Sequence, residues 1–524
     1  MMAGTLTCLP RWALPAACCL AMVTCRHAGA SRAAENPQST VRNPQSAILN
    51  PQSSILNPQS SIRNPQSNDW PTYRHDNRRS GATPEKLALP LAKAWTHAPA
   101  AGPRPAWTGP AKWDAFAGIK GLRSMRDFDT AFHVTVAGGR AYFGSSADDA
   151  AHCLDAATGR QQWAYCTDGP VRLPPTLHES KAYFGSDDGS AYCVRADDGA
   201  LVWKRKAAPD GRLIPSNAKL ISLWPVRTGV LVAGSRAYFG ASLLPWRASV
   251  LWAVDARSGA AAGAGSYRAE QADVTMQGAM LASARNLYVP QGRSAPLVYS
   301  RADGKALGAV RGGGGGTYAI LTEAAELIHG PGNKAGWLSV HGQTGRDQFL
   351  TFPDARRMVV AARAAYLQQA ATLAAFDHVR YFELGRQIHD RSRRQGEARK
   401  QLKKLGKTGD PARRAELDRQ IAAIAAEIKR LREAAARCYL WKVPCPPCHS
   451  LIAAGELLIA GGSGHVRAYA AADGREVWAA AIEGKAHGLA AAGGRLYVST
   501  DTGEIHCFVG RGPGRAQSTK GDDR

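Results

Sequence analysis

Cys445-Pro446-Pro447-Cys448-His449 is the run in this chain best suited to chemistry. A Cys-x-x-Cys-His sequence lets two thiols add to the vinyl groups of a haem while the adjacent imidazole becomes an axial iron ligand. The same two thiols, Cys445 and Cys448, could instead close a redox or structural disulfide, or could be ordinary loop cysteines. Haem needs a pocket of its own, and no small helical segment of cytochrome type surrounds the motif. Three histidines form a second candidate. His133 and His449 occupy the same position of a sequence repeat and His487 lies one residue off. At the starts of innermost strands they would line a central channel, either as a small metal or ligand site or simply in contact with water.

The elements that must position these groups follow from that repeat. A β-rich tetrad recurs as Ala141-Tyr142-Phe143-Gly144, Ala182-Tyr183-Phe184-Gly185 and Ala237-Tyr238-Phe239-Gly240, with looser copies at Leu287, Leu327, Ala365, Leu457 and Leu496. Each tetrad is followed by a short strand, a turn ending in Gly, and an aromatic four residues later. The clearest cases are Gly159 with Trp163, Gly199 with Trp203, Gly345 with Phe349, and Gly474 with Trp478, whereas the turns at Gly259 and Gly304 lack the aromatic. A Gly closing the turn supplies the positive φ of a tight reversal, and the aromatic is free to pack on the neighbouring unit. Four-stranded units of this kind cannot bury both faces alone, so they stack radially. The expectation is an all-β, eight-bladed β-propeller, with seven blades as the alternative. Blades are four-stranded and antiparallel. Docking positions fall at Trp95, Trp163, Trp203, Phe349, Trp441 and Trp478, and Leu91 to Trp95 supplies the missing outer strand of the last blade. Cys153, Cys193 and Cys507 then fall in strands as small core residues.

The pattern Asp-x-x-Thr-Gly-x-x-x-Trp after a tyrosine-bearing strand resembles the tryptophan-docking repeat of the pyrroloquinoline-quinone-type (PQQ-like) propellers. That family includes quinoprotein alcohol dehydrogenases and the outer-membrane assembly lipoprotein BamB, and the resemblance covers about three quarters of the chain. It implies the fold, and either a redox enzyme or a non-catalytic scaffold. A quinone site would call for a vicinal disulfide or aromatic platform, a calcium site of Asp, Glu and Asn, and a catalytic Asp. The one pair of adjacent cysteines, Cys18-Cys19, lies in the leader, and Asp187-Asp188 and Asp197-Asp198 occupy turns, where Asp serves local hydrogen bonding.

The repeat is interrupted between Phe382 and Ala436 by a stretch rich in Arg, Lys, Glu, Gln and Ala. Asp410-Pro411 is an N-cap followed by proline at the first helical position, and Leu417, Ile421, Ile424, Ile428 and Leu431 make one apolar stripe. The reading is a helical hairpin over 378–436 that replaces a turn within blade six. It serves either as a partner-binding arm or as a solvated ornament. Gly312 to Gly316 has no Lys-Ser/Thr to make a phosphate loop and reads as a flexible connection.

Residues 1–30 have the form of a secretory signal, with Arg11 before an apolar stretch and Ala28-Gly29-Ala30 as a cleavage site. Asn-Pro-Gln-Ser recurs five times over 31–68 with a period of seven, which reads as a disordered linker because proline in every unit would break a helix. The propeller then spans 69–509, and 510–524 is a basic tail. Net charge is +24, carried mostly by scattered Arg, with the densest cluster in the helical insertion. This favours no specific nucleic acid. The function expected is an exported, extracytoplasmic, monomeric scaffold, not membrane-spanning once the signal is removed. It would bind a protein or envelope component, in part through the basic hairpin, and would carry no cofactor. The alternative is a periplasmic redox protein holding PQQ or covalent haem c at Cys445, Cys448 and His449.

Overall fold

The computed structural model describes residues 68–510 apart from 108–110, 115–118, 123–126, 313, 332–335, 363 and 407–408. The leader, most of the Asn-Pro-Gln-Ser segment and the tail lie outside these residues.

The tetrad forms the second strand of each repeat. In strand Arg140–Ser145, Tyr142 and Phe143 are both fully buried, one on each face. Tyr142 packs with Trp163 toward the following unit and donates its hydroxyl to Ala196 O at 2.9 Å, whereas Phe143 packs against the closing strands of the ring. Gly144 completes the motif because the next crossover passes directly over it. A Cβ there would stand 2.6 Å from Leu173 O.

These strands group into six four-stranded antiparallel sheets and one longer sheet. In the longer sheet, strand Glu476–Ala492 pairs with Ser463–Ala470 through its first half and with Arg495–Thr500 through its second. It therefore serves two successive units, giving eight four-stranded units among the described residues. The outer strand of the eighth is Leu91–His97, paired antiparallel with Ile505–Gly510 so that Trp95 faces Cys507. Innermost strands follow one another around a ring. Val134–Ala137 touches Thr176–His178, then come Leu231–Ala233, Leu281–Ala282 and Tyr318–Leu321, and the second half of Glu476–Ala492 returns to Val134–Ala137.

Docking works between units. The indole of Trp163 lies on Gly199 of the next unit and donates to Ala196 O at 3.2 Å. Trp95 does the same on Gly159 with Ala156 O, Trp203 on Gly259 with Ala256 O, and Trp441 on Gly474 with Ala471 O. The third unit does have a docking aromatic after all. Tyr267 covers Gly304, and sequence spacing missed it because a loop of seven residues, 260–266, delays its strand. Trp478 instead donates to Leu91 O at 2.9 Å, where the chain break of the eighth unit leaves no turn. Phe349 has no turn glycine to cover, since the helical insertion stands there, and it packs on Phe382 and below Arg386.

The insertion comprises α1 (His378–Leu405) and α2 (Pro411–Ala436). Asp377 caps α1 and Asp410 caps α2, its carboxylate accepting from Ala412 N at 3.0 Å with Pro411 at the first position. The base of α1 buries Phe382 against strand Gln348–Pro353 and neighbouring strands, and Leu384 against Ala435 and Cys438 at the end of α2. Beyond Arg386, α1 packs on α2, with Arg391 paired to Glu427 and Gln395 donating to Ile421 O. No helix among the described residues is long and apolar enough to cross a membrane.

Residues 68–85 make a collar around one end of the ring, bonding in turn to all eight units. Trp70 exchanges two backbone hydrogen bonds with Val136, Pro71 O accepts from Leu177 N, and Asn77 bridges Val232 O and Ala282 N. Arg78 O accepts from Leu321 N, Arg74 reaches Met358 O, Gly81 O accepts from Ala453 N, and Glu85 accepts from Gly494 N. The collar holds its shape through Asp76, whose carboxylate accepts from Arg78 N and from the N–H and hydroxyl of Ser80. The buried Arg79 guanidinium donates to Thr72, Tyr73 O, Asp76 O and Met280 O.

Candidate functional site

Cys445 follows outer strand Tyr439–Pro444 and Cys448 precedes inner strand Ser450–Ala454. Both thiols are free and buried in the apolar cluster between the sixth and seventh units, among Val359, Tyr366, Leu373, Leu451 and Leu458. Burial pushes the Cys448 thiol up to about 12 and that of Cys445 upward as well. Nucleophilic or redox cysteines need the opposite, a stabilised thiolate near solvent. His449 is engaged on both sides, its Nε2 lying 2.9 Å from Ser463 Oγ and its carbonyl accepting from Arg357 Nε at 2.9 Å. With thiols facing a packed interface and the histidine turned to Ser463, the motif does not fit covalent haem.

The three channel histidines do come together. The rings of His449 and His487 are 4.7 Å apart, and His133 stands edge-on to Tyr73 at 5.0 Å, with its Nδ1 beside Gly488. All three are half-buried. Desolvation, then the neighbouring cations and imidazoles, lowers His487 to about 3, and desolvation lowers His133 to about 4. They are therefore neutral hydrogen-bonding groups at pH 7. Among the described residues no three His, Cys, Asp or Glu side chains converge as metal ligands.

The end of the channel opposite the collar is filled by groups that sequence reasoning missed. Tyr73, Ala106, Trp107, Phe128, Leu173 and Ala279 form one apolar cluster. They come from the collar and from crossovers leading into the first, second and fourth units, so the cluster spans the axis. Beneath it runs a buried chain of charges. Asp187 accepts from Arg172 Nε at 2.7 Å and from Arg227 Nε and Nη2 at 2.9 and 2.8 Å. Arg172 Nη1 continues to Asp129 at 2.6 Å, and Trp107 Nε1 donates to Gln277 at 2.7 Å. Desolvation raises both carboxyls. At Asp187 the two guanidiniums outweigh it and the group ends below its ordinary value, whereas at Asp129 burial wins and the group ends above it. Asp187 is thus in a turn, as its repeat position implies, but its side chain ties two crossovers together rather than serving the turn. One signal in the sequence was available. Pro170-Val171-Arg172 and Pro225-Val226-Arg227 place the same tripeptide at the same point of successive repeats. A quinone with its cation does not fit this axis, because apolar side chains fill it and Asp187 spends both oxygens on arginines.

A second histidine pair lies between the fourth and fifth units. His329 and His341 are fully buried, with their Nε2 atoms 3.1 Å apart and their rings stacked at 4.9 Å. On the filled face of the ring stand exposed apolar side chains. Leu213 and Leu220 lie on the hairpin Leu213–Ser216/Lys219–Ser222, and Trp246 on the turn of the third unit, at 55, 62 and 72% exposure. The tip of that hairpin is held over the plug by Asn217, which donates to Pro105 O at 2.9 Å.

A family profile described as outer membrane protein assembly factor BamB matches residues 93–261 and 462–511. The quinohemoprotein alcohol dehydrogenase of Comamonas testosteroni is similar in structure at 13% identity, with 88% of this chain and 84% of that chain covered and a TM-score of 0.53. A europium-containing methanol dehydrogenase is similar at 10% identity, with 85% and 98% covered and a TM-score of 0.52. BamB from Moraxella catarrhalis gives 13% identity, 80% and 99% covered, and a TM-score of 0.43. No curated protein sequence matches the chain. The ring of antiparallel units makes the chain an all-β propeller. Within residues 93–261 and 462–511 its repeats match the PQQ-like type. The profile passes over the fourth to sixth units; the fourth lacks a docking aromatic and that of the fifth, Phe349, faces α1, whereas Trp441 of the sixth still docks on Gly474.

Proposed function

We propose that this propeller is an exported, non-catalytic scaffold of the cell envelope that binds another protein through its plugged face. The observation that carries this reading is the pairing of a filled channel mouth with exposed Leu213, Leu220 and Trp246 on the same face. Exposed aromatic and large aliphatic side chains anchor protein interfaces, and an axis filled by the chain's own residues gives a small substrate no chamber. The BamB-type repeats agree with a role in the envelope.

The test places a photo-crosslinking residue at Trp246 or Leu220 and examines intact cells. Specific adducts that vanish when the other position is changed to Glu are expected. A purified protein with a Soret band that survives denaturation overturns the reading. So does one that gains dehydrogenase activity on addition of quinone and calcium.

A further inference from the structure

The helical hairpin carries charge in a way the rest of the chain does not. Helix α1 has nine Arg or Lys against three Asp or Glu, and α2 six against four. From Arg386 to Leu405 the arm extends about 28 Å at 1.5 Å per residue. Along it Arg394, Arg399, Lys400, Lys403, Lys404, Arg413, Arg419, Lys429 and Arg430 are exposed, and none joins an ion pair among the described residues. The apolar stripe is used up inside the arm. Leu417 and Ile428 are buried, Ile421, Ile424 and Leu431 half-buried, and none of the exposed large apolar side chains lies on this stretch. A groove of about 520 Å³ between the helices is lined by Ser392, Gln395 and Arg399 from α1 and by Lys429, Arg432 and Glu433 from α2.

We infer that this arm docks on the phosphate headgroups of an anionic phospholipid surface. The inference rests on the envelope reading above and names a second binding partner for it. Other anionic partners fit less well. Two helices side by side are about 20 Å wide, too broad for the major groove of duplex DNA, which admits one helix. Single-stranded nucleic acid is gripped by stacking on aromatic rings, and the arm beyond Phe382 carries none but His389. Protein interfaces are anchored by buried aromatic or aliphatic side chains, which the arm keeps between its own helices. What remains is a dense array of cations, rich in guanidiniums that match phosphate geometry. The arm replaces a turn between third and fourth strands, at the collar end of the ring. Its lipid face is therefore set opposite to the protein-binding face.

Co-sedimentation of the full chain with vesicles of phosphatidylcholine containing phosphatidylglycerol tests this. Binding is expected to the mixed vesicles, not to phosphatidylcholine alone, and to be lost as salt rises to about 0.5 M. The variant R399Q/K400Q/K403Q/K404Q changes exposed residues only. At about five-fold per basic residue near an anionic surface, its partition falls about 600-fold while its circular dichroism is unchanged. Equal binding to both vesicle types, binding unaffected by the four substitutions, or binding to duplex DNA but not to vesicles overturns the inference. If the Trp246 adducts persist while vesicles fail to bind, this inference alone falls. If vesicles bind but Trp246 captures nothing, the protein-scaffold reading falls instead.

Discussion

Substitution of Gly199 by alanine isolates the contact that joins one unit to the next. Gly199 has φ of +74°, and a Cβ there would stand 2.8 Å from Cε3 and 2.9 Å from Cδ2 of Trp163, an indole that is 8% exposed. Two costs follow. A side chain held in left-handed backbone costs about 1–2 kcal/mol, and forcing a methyl into a packed ring adds about 1–3 kcal/mol. Gly199→Ala is thus expected to destabilise by about 2–5 kcal/mol. Trp163→Ala alone costs about 3–5 kcal/mol through lost burial. In the double variant the ring is gone, the steric cost disappears, and Gly199→Ala should cost only the backbone share of about 1–2 kcal/mol. The coupling energy is then about 1–3 kcal/mol. Urea unfolding followed by far-ultraviolet circular dichroism measures all four corners of the cycle, with equal m-values as the check that one transition is being compared. Contacting residues couple, whereas independent ones add to within about 0.5 kcal/mol. Additive losses would refute the argument that the glycine is there to receive the indole.

Asp187→Asn is expected to destabilise by about 3–5 kcal/mol, since it leaves Arg172 and Arg227 buried without their shared counter-charge. A loss under about 1 kcal/mol in urea melts would show the crossovers to be held otherwise. Acid should weaken the fold through the buried histidines. His329 and His341 titrate at about 3 and about 4 when folded and at about 6.5 when unfolded. The unfolded chain therefore takes up protons first, so the stabilisation is complete above pH ~6.5 and is lost as pH falls toward 4. Between pH ~7.5 and ~5.5 the pair forfeits about 3 kcal/mol, and His329→Leu/His341→Leu should shrink the pH-dependent loss by that amount when melts at the two pH values are compared. Iodoacetamide followed by peptide mapping should label the exposed Cys166 in the native protein, and the buried Cys445 and Cys448 only after unfolding. Rapid native labelling of Cys448 would contradict its packed position.

What was legible in the sequence is what is local. The turn Gly and the Trp four residues on are fixed by one hairpin, so Trp163, Trp203 and Trp478 could be assigned from spacing, and the Asp410-Pro411 cap marked α2 without reference to anything distant. Tyr267 escaped because loop 260–266 breaks the spacing while the packing on Gly304 survives it. The charge chain was illegible for a different reason. Arg172, Asp187 and Arg227 are separated by 15 and 40 residues, and an Asp in a turn has the same local signature whether it serves the turn or two distant guanidiniums. Cys445-Pro446-Pro447-Cys448-His449 misled in the opposite sense. Its spacing suits haem, but the repeat places both cysteines in an interface between units. The collar is the extreme case, since its partners run from Val136 to Gly494 and only a closed ring brings them to one circle.

That collar has a consequence for how the chain is made. Residues 68–85 are synthesised before any unit, yet their bonding positions lie on all eight, the last of them at Gly493 and Gly494. This early segment is therefore the last to find its full set of partners. It acts as a drawstring that can be pulled tight only when the final repeat has been delivered. A chain truncated before Gly493 would leave the string untied and Leu91–His97 without its neighbour.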